Sequence, residues 1–197
     1  MIDNFQLIRQ LLTFDTGIDQ NDDFYFAQII QRKKEHPELG SNSHVVKTYF
    51  IKSQSHIDFY KPEMITLANF HNARVGINLN KRSFEKLAFH TLKKVADQIL
   101  NKDYPSIRKA YNSVCGQFSS DQNKKWIVDI DHKNKRDINS TLRFIESLQP
   151  AGQKFIALIE TKNGFHLITT PFNVQEFKTE YPDIEVHKDN PTILYIP

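Results

Sequence analysis

The segment Trp126 to Asp131, Trp-Ile-Val-Asp-Ile-Asp, carries two aspartates at the end of an apolar, β-branched run. Such a run predicts a strand, so Asp129 and Asp131 share one face while Val128 and Ile130 share the other. The two carboxylates would lie roughly 6.6 Å apart, at about 3.3 Å per residue. They repel each other, and burying either is costly without a partner. The pair is therefore a candidate site for a divalent cation such as Mg²⁺, and an exposed strand end is the alternative.

A second candidate group is the run Lys162, Asn163, Gly164, Phe165 and His166. Its Asn-Gly pair separates two apolar segments, which is the strongest short-range signal for a β-hairpin. Glycine allows a phosphate to approach the backbone, lysine supplies positive charge, and histidine can donate to a phosphate oxygen. The run is thus a candidate nucleotide-binding element, although an ordinary exposed turn with a structural histidine has the same pattern.

A third candidate is Asp189, which follows the short apolar segment from Ile184 to Val186. Its carboxylate could supply a third acidic ligand to the site of Asp129 and Asp131. A plain turn is the alternative, because Asp-Asn-Pro is favourable turn chemistry.

Hydrophobic periodicity and turn residues predict the elements that must position these side chains. The predicted helices are Asn4 to Phe14, Phe24 to Lys34, Ser83 to Asn101, Pro105 to Val114, Ile138 to Leu148 and Val174 to Glu180. The predicted strands are Val45 to Ile51, Ala73 to Leu79, Trp126 to Asp131, Phe155 to Glu160, Phe165 to Thr169, Ile184 to Val186 and Ile193 to Ile196. Helices mixed with a partly antiparallel sheet define an α+β fold.

The composition limits the class of protein. A chain of 197 residues with 15 phenylalanines and 39% hydrophobic residues can build one core, so disorder is excluded. The phenylalanines are expected mostly in that core, Phe70 among them. The single cysteine excludes an internal disulfide and a cysteine-rich zinc site. No apolar run approaches the ~20 residues that cross a bilayer, and no signal peptide is recognisable, so a cytoplasmic protein without membrane contact is expected.

The charge is unevenly distributed along the chain. The net charge is +3, but residues 1–25 contain one arginine and five aspartates. The remainder is basic, as suits a polyanionic ligand, although solvated helix faces explain part of it. We therefore divide the chain into a helical, acidic N-terminal extension, 1–43, and an α+β domain, 44–197.

The order of the three groups resembles the archaeo-eukaryotic primase superfamily. That family has hydrophobic-Asp-x-Asp, then a small residue, one intervening residue and His, then hydrophobic-Asp. Asp129 and Asp131 match the first motif, Gly164 and His166 match the second, and Asp189 is the candidate for the third. The resemblance covers roughly residues 73–197. The family's basic residues in the strand after the third motif are replaced here by Thr-Ile-Leu-Tyr-Ile.

The resemblance implies an RRM-related primase-polymerase core and two-metal nucleotidyl transfer on a nucleic-acid template. The three aspartates would hold Mg²⁺ or Mn²⁺, and His166 would contact the phosphates of the nucleoside triphosphate. Lys162 and Asn163 would assist there. The basic residues Lys133, Lys135 and Arg136 would lie near the metals, facing polyphosphate or template. The implied partners are a single-stranded template and a helicase or other replication protein, in a phage or mobile element.

Three functions remain open at this point. The first is a template-dependent nucleotidyltransferase. The second is an inactive module that keeps the fold and binds nucleotide or nucleic acid. The third is a metal-dependent phosphodiesterase or nuclease with the same acidic cluster. The two enzyme functions are favoured over the binding module, because packing alone does not explain why Asp129, Asp131 and His166 occur together.

Overall fold

The computed structural model describes residues 1–14, 22–40, 42–119, 121–131 and 137–197. It contains antiparallel sheets flanked by helices, which confirms the α+β prediction. The first half comprises β1 (Ile2–Asp3), α1 (Phe5–Leu11), β2 (Asp23–Gln31), β3 (His44–Ile51), α2 (Gln54–Phe70), β4 (Arg74–Asn78), β5 (Arg82–Ser83), α3 (Phe84–Leu100) and α4 (Ala110–Gln117). The second half comprises β6 (Trp126–Asp131), α5 (Ile138–Ser147), β7 (Phe155–Thr161), β8 (Gly164–Thr169), α6 (Val174–Glu180), β9 (Glu185–His187) and β10 (Pro191–Ile196). Short 3₁₀ helices span Pro37–Leu39 and Tyr104–Lys109.

The first sheet has the strand order β1-β10-β4-β2-β3, with β5 paired to β2. The predicted helix Phe24 to Lys34 is wrong, because this segment forms the inner strand β2. Phe24, Tyr25, Phe26 and Ala27 are all buried, since both faces of β2 are covered. An apolar run buried on both faces does not alternate, so its period does not distinguish strand from helix. Because β2 pairs with both β3 and β4, the predicted boundary at residue 43 falls inside one sheet.

The second sheet has the strand order β7-β8-β6-β9, and each strand is antiparallel to its neighbours. Its chain order is β-α-β-β-α-β, the split β-α-β arrangement. The hairpin predicted at Lys162 and Asn163 joins β7 to β8, as expected. After β9 the chain returns to the first sheet, where β10 lies between β1 and β4.

Three hydrophobic clusters hold these layers together. The largest includes residues of both sheets, such as Ile77 and Leu194 of the first and Ile127 and Ile168 of the second. A second cluster packs α5 and α6 on the opposite face of the second sheet. A third packs α3 and α4 on the first sheet through Phe26, Leu87 and Val114. The two sheets therefore share a core, and helices cover their outer faces.

Of the two long helices α2 and α3, the sequence predicted only α3. Helix α3 begins after Ser83, whose side chain accepts from the backbone N–H of Lys86 and caps the helix as predicted. Helix α2 was not predicted; it contains Pro62 in its interior, and it is capped by Ser53. Phe70 ends α2 and is 81% exposed, so its expected burial is wrong. No helix in the described parts of the chain is long and apolar enough to cross a bilayer.

Candidate active site

The candidate site lies where the core between the two sheets opens to solvent. On β6, Ile127 shares a face with Asp129 and Asp131, and Ile127 is buried in the shared core. Val128 and Ile130 lie on the other face, against α5 and α6. The predicted alternation is therefore confirmed. The aspartates come after the core residue on the same face, and so they line a cleft of about 410 Å³.

The antiparallel register of β6 and β8 places the second motif beside the first. His166 is paired with Asp129, and Gly164 with Asp131. A Cβ on Gly164 would lie 2.0 Å from the carbonyl oxygen of Ile130, so the strands approach too closely for any other residue. The closely approaching group is the backbone of β6, which gives Gly164 a structural reason of its own. Its predicted contact with a phosphate stays a prediction.

His166 is held in a fixed orientation inside the cleft. Its Nδ1 atom shares a hydrogen bond of 2.9 Å with the hydroxyl of Thr192, which is itself fully buried on β10. Its Nε2 atom lies 3.7 Å from Oδ1 of Asp129, too far for a hydrogen bond. Burial, followed by the charge of His187, lowers the pKa of His166 to about 4. The imidazole is therefore neutral near pH 7, so one ring nitrogen can donate a hydrogen bond and the other can accept one.

Asp129 carries a charge that its surroundings compensate poorly. Burial raises its pKa, and the neighbouring carboxylate of Asp131 raises it further. The positive charges of His187 and Arg32 act in the opposite direction without cancelling these effects. A carboxylate with a raised pKa beside a second carboxylate favours the binding of a cation.

Basic side chains line the same cleft, on the walls formed by both sheets. Arg32 directly follows β2, Arg74 begins β4, and Lys162 lies in the β7–β8 turn. The carboxylate of Glu35 accepts from the guanidinium of Arg74 and from Lys162, whose Nζ lies 2.8 Å away. The hydrogen bond from Arg74 is the main reason that the pKa of Glu35 falls to about 2. This part of the cleft is suited to a phosphate, which could exchange with Glu35 as the partner of these cations.

Asp189, the predicted third acidic ligand, is engaged elsewhere and does not line this cleft. Its two carboxylate oxygens accept from the guanidinium of Arg82, at 3.1 and 3.0 Å. Arg82 is fully buried and also donates to the carbonyl oxygen of Cys115. Asn80 donates to the same carboxylate, at 3.1 Å. The structure therefore gives Asp189 a structural role, which corrects the prediction: it anchors the loop between β9 and β10.

A divalent cation fits the remaining residues only in part. Asp129 and Asp131 supply two carboxylates, and Mg²⁺ is commonly held by one or two carboxylates together with water and substrate phosphates. Within the described residues, no group of three His, Cys, Asp or Glu side chains is arranged to hold a metal ion. Phosphates of a bound substrate would have to complete the coordination. The predicted nucleotide contacts Lys133, Lys135 and Arg136 lie outside the described residues.

Sequence reasoning did not identify several residues of the cleft. Arg32 was hidden by the wrong assignment of β2 as a helix. His187 lies on β9 opposite Ile127, so it shares the face of the aspartates, and Thr192 lies on β10. His187 could have been found, because it stands two residues before Asp189 at the end of an apolar run. Thr192 carries no signal of its own, since its role depends on the packing of β10 against β8.

The cleft combines paired carboxylates, a neutral histidine and several cations, which defines a candidate site for a phosphate-containing ligand and a divalent cation. No family model, no curated protein and no solved structure matches the chain. The assignment of a function therefore depends on the geometry of this cleft.

Proposed function

We propose that the chain is a template-dependent nucleotidyltransferase of the primase-polymerase type, acting on nucleoside triphosphates. The observation that carries this proposal is the convergence of Asp129, Asp131 and His166, from two adjacent antiparallel strands, in one cleft lined by cations. The volume of about 410 Å³ is in the range of small-molecule sites. The strand order of the second sheet supports the proposal, because it agrees with the RRM-related core that the motifs imply.

Each group has a distinct part in this proposal. Asp129 and Asp131 would hold Mg²⁺ or Mn²⁺, which neutralises the charge that develops on a triphosphate during transfer. The neutral His166 donates a hydrogen bond to a phosphate oxygen from Nε2, while Thr192 fixes the imidazole through Nδ1. Lys162 and Arg32 balance the remaining negative charge. A single-stranded template and a helicase or other replication protein are the partners that this function would require.

A second candidate is a module that binds nucleotide or nucleic acid without turnover. The observation that favours it is the engagement of Asp189 by Arg82, which leaves two carboxylates in the cleft where the family pattern has three. Both candidates require binding of nucleotide or nucleic acid, and they differ in the consequence of binding.

The deciding experiment measures incorporation of labelled nucleotides on a single-stranded template with Mg²⁺ or Mn²⁺. Wild type is compared with Asp129→Asn and with Asp183→Asn, an exposed aspartate in the turn before β9. We expect metal-dependent product that falls at least ~100-fold in Asp129→Asn, as for loss of an electrostatic group in a transition state, and that persists in Asp183→Asn. Absence of product together with calorimetric binding of nucleotide would establish the binding module. Absence of both would exclude the cleft as a nucleotide site.

A further inference from the structure

Glu35 holds two of the cations of the cleft from outside the cleft. A second recess, the adjoining recess, is bordered by Asn72 and Glu160. Arg74 and Lys162 line both the cleft and the adjoining recess, whereas Glu35 lines only the recess. The guanidinium of Arg74 donates to both carboxylate oxygens of Glu35. Nζ of Lys162 donates to Oε1, an oxygen that already accepts from Arg74, so one carboxylate serves two cations.

The two cations are held to different degrees. The side chain of Arg74 is 13% exposed and makes two hydrogen bonds to Glu35, the bidentate geometry that fixes an arginine on a carboxylate. The side chain of Lys162 is 55% exposed, and in the described residues its ammonium makes one hydrogen bond, at 2.8 Å. Exposed single ion pairs add little to stability, so exchanging the partner is inexpensive. Lys162 can therefore leave Glu35 while Arg74 keeps it in place.

The segment that carries Glu35 is also fixed by its neighbour His36, which is buried. Nδ1 of His36 lies 2.7 Å from the carboxylate of Glu38, and Nε2 lies 2.7 Å from the carbonyl oxygen of Asn72. Both partners are acceptors, so the ring donates from both nitrogens, as an imidazolium does. The bond to Asn72, followed by that to Glu38, raises the pKa of His36. The segment is thus tied to the turn just before Arg74.

The other charged side chains of the cleft and the recess do not favour an anion. Apart from histidines, they are Arg32 and Lys34 against Asp129, Asp131 and Glu160. Three negative charges therefore face two positive ones. A phosphate group is not attracted by the general charge of this region, and its binding depends on donors that approach it directly. Arg74 and Lys162 are such donors, and Glu35 competes for both.

We propose that Glu35 is an internal competitor for phosphate: Lys162 bonds Glu35 in this structure and transfers to a phosphate group of the ligand, while Arg74 retains Glu35. The inference rests on the proposed function, since the ligand of the cleft must carry phosphate. It goes further because it makes Glu35, a residue outside the cleft, the one that sets the affinity. The phosphate comes from a nucleoside triphosphate or from the backbone of a nucleic-acid strand, and the test distinguishes these sources.

Binding is measured by calorimetry without divalent cations, with sodium tripolyphosphate and separately with an oligothymidylate that has hydroxyls at both ends. Glu35→Gln keeps an oxygen that accepts from Arg74 but removes the charge that attracts Lys162. It should tighten binding of one ligand at least ~10-fold, as expected when one nearby, partly exposed charge is removed. Glu160→Gln removes the same charge from an exposed position in the recess and should change binding by less than ~2-fold.

The responding ligand identifies the source of the phosphate. Tightening for tripolyphosphate supports a nucleoside triphosphate, and tightening for the oligothymidylate supports a strand backbone. No tightening for either ligand would overturn the proposal. So would equal tightening in Glu35→Gln and Glu160→Gln, which would show a general effect of charge.

The variant Lys162→Met shows whether the lysine carries the effect. Alone, this change at an exposed position should weaken binding at least ~3-fold, and unchanged binding would overturn the proposal. In the Lys162→Met background, Glu35→Gln should alter binding by less than ~2-fold, because the released cation is absent. Equal tightening in both backgrounds would overturn the transfer of Lys162. Loss of folding cannot imitate tightening in one background alone.

The nucleotide-incorporation experiment distinguishes this inference from the proposed function. Product from wild type without tightening in Glu35→Gln would overturn this inference and support nucleotidyl transfer. Tightening in Glu35→Gln without product would support this inference and overturn nucleotidyl transfer in favour of the binding module.

Discussion

Asp129 and Asp189 both follow short apolar segments, yet their surroundings are opposite. Asp189 meets the fully buried guanidinium of Arg82 in two hydrogen bonds. Asp129 faces a neutral imidazole and a second carboxylate. Burial raises the pKa of both aspartates, but the guanidinium of Arg82 opposes this rise at Asp189, whereas the carboxylate of Asp131 adds to it at Asp129. A carboxylate with a buried cationic partner stabilises the fold, whereas one without such compensation is available for a ligand. The comparison separates a structural aspartate from a functional one when the residue type and the sequence context do not.

The largest expected effect is the loss of stability when Asp189, the structural aspartate, is replaced. Asp189→Ala leaves the guanidinium of Arg82 buried and unpaired, so the free energy of unfolding should fall by about 3–5 kcal/mol. Asp129→Ala should change it by less than about 1 kcal/mol, because no compensated pair is broken. Urea denaturation of both variants measures the difference. A larger loss of stability in Asp129→Ala than in Asp189→Ala would contradict the structural role of Asp189. Recovery of stability in the double variant Arg82→Met, Asp189→Leu, which removes both charges, would support it.

A substitution at Gly164 tests how closely the strands of the site must approach. A Cβ there would meet the carbonyl oxygen of Ile130, so Gly164→Ala should lower the free energy of unfolding by about 3 kcal/mol. Gly116, within α4, has open space around it and is the matched control. Gly116→Ala should raise the free energy of unfolding by about 0.5–1 kcal/mol. Equal effects at the two glycines would show that β6 and β8 are not this close.

The pH dependence of stability tests the buried, neutral state of His166. Its pKa is about 4 in the folded protein, whereas an unfolded histidine titrates near 6.5. Between these values the unfolded state binds a proton that the folded state does not, so stability falls as the pH falls from about 6.5 towards 4, by up to about 3 kcal/mol. His166→Asn should flatten the profile in this window. His44→Asn, at an exposed histidine on β3, should retain it, and a wild-type slope in His166→Asn would contradict the assignment.

The smallest expected effect is a difference in stability between substitutions at two buried threonines, Thr192 and Thr169. Thr192 bonds His166, so Thr192→Val should lower the free energy of unfolding by about 1 kcal/mol and weaken nucleotide binding. Thr169 is equally buried, and its hydroxyl has no hydrogen-bond partner in the described residues. Thr169→Val should therefore be neutral or stabilising. Thermal unfolding measures the change in stability, and calorimetry with a nucleotide measures the change in binding. A Thr192→Val protein that binds nucleotide normally would show that Thr192 does not position His166.

Local signals predicted much of the second sheet. The Asn-Gly turn, the alternation on β6 and the helices after Asp137 and Asn173 depend on neighbouring residues, and each forms where the sequence indicates. The pairing of β6 with β8 then brings Asp129 and His166 together. This part of the site could be predicted because one hairpin and one strand produce it.

The remaining features depend on residues that are distant in the sequence. Asp189 and Arg82 are separated by 107 positions, and nothing near Asp189 indicates a buried cation. The sequence of β2 does not alternate apolar and polar residues, because helices α3 and α4 cover one face of the strand and the shared core covers the other. Periodicity predicted helix α3, but it shows that a face is apolar and not whether this chain covers it, and Leu92 on that face is 69% exposed.

The position of β10 has a consequence for how the protein folds. This strand fills the place between β1 and β4, although it follows the entire second sheet in the chain. Until it inserts, β4 is an edge strand with unpaired backbone groups, and β1 has no neighbour in the sheet. Closing so large a loop slows folding, and exposed edges of this kind promote association with other chains. During synthesis the first sheet therefore remains incomplete and open to aggregation after most of its strands have left the ribosome, and completion of the cleft wall at Thr192 is among the last events.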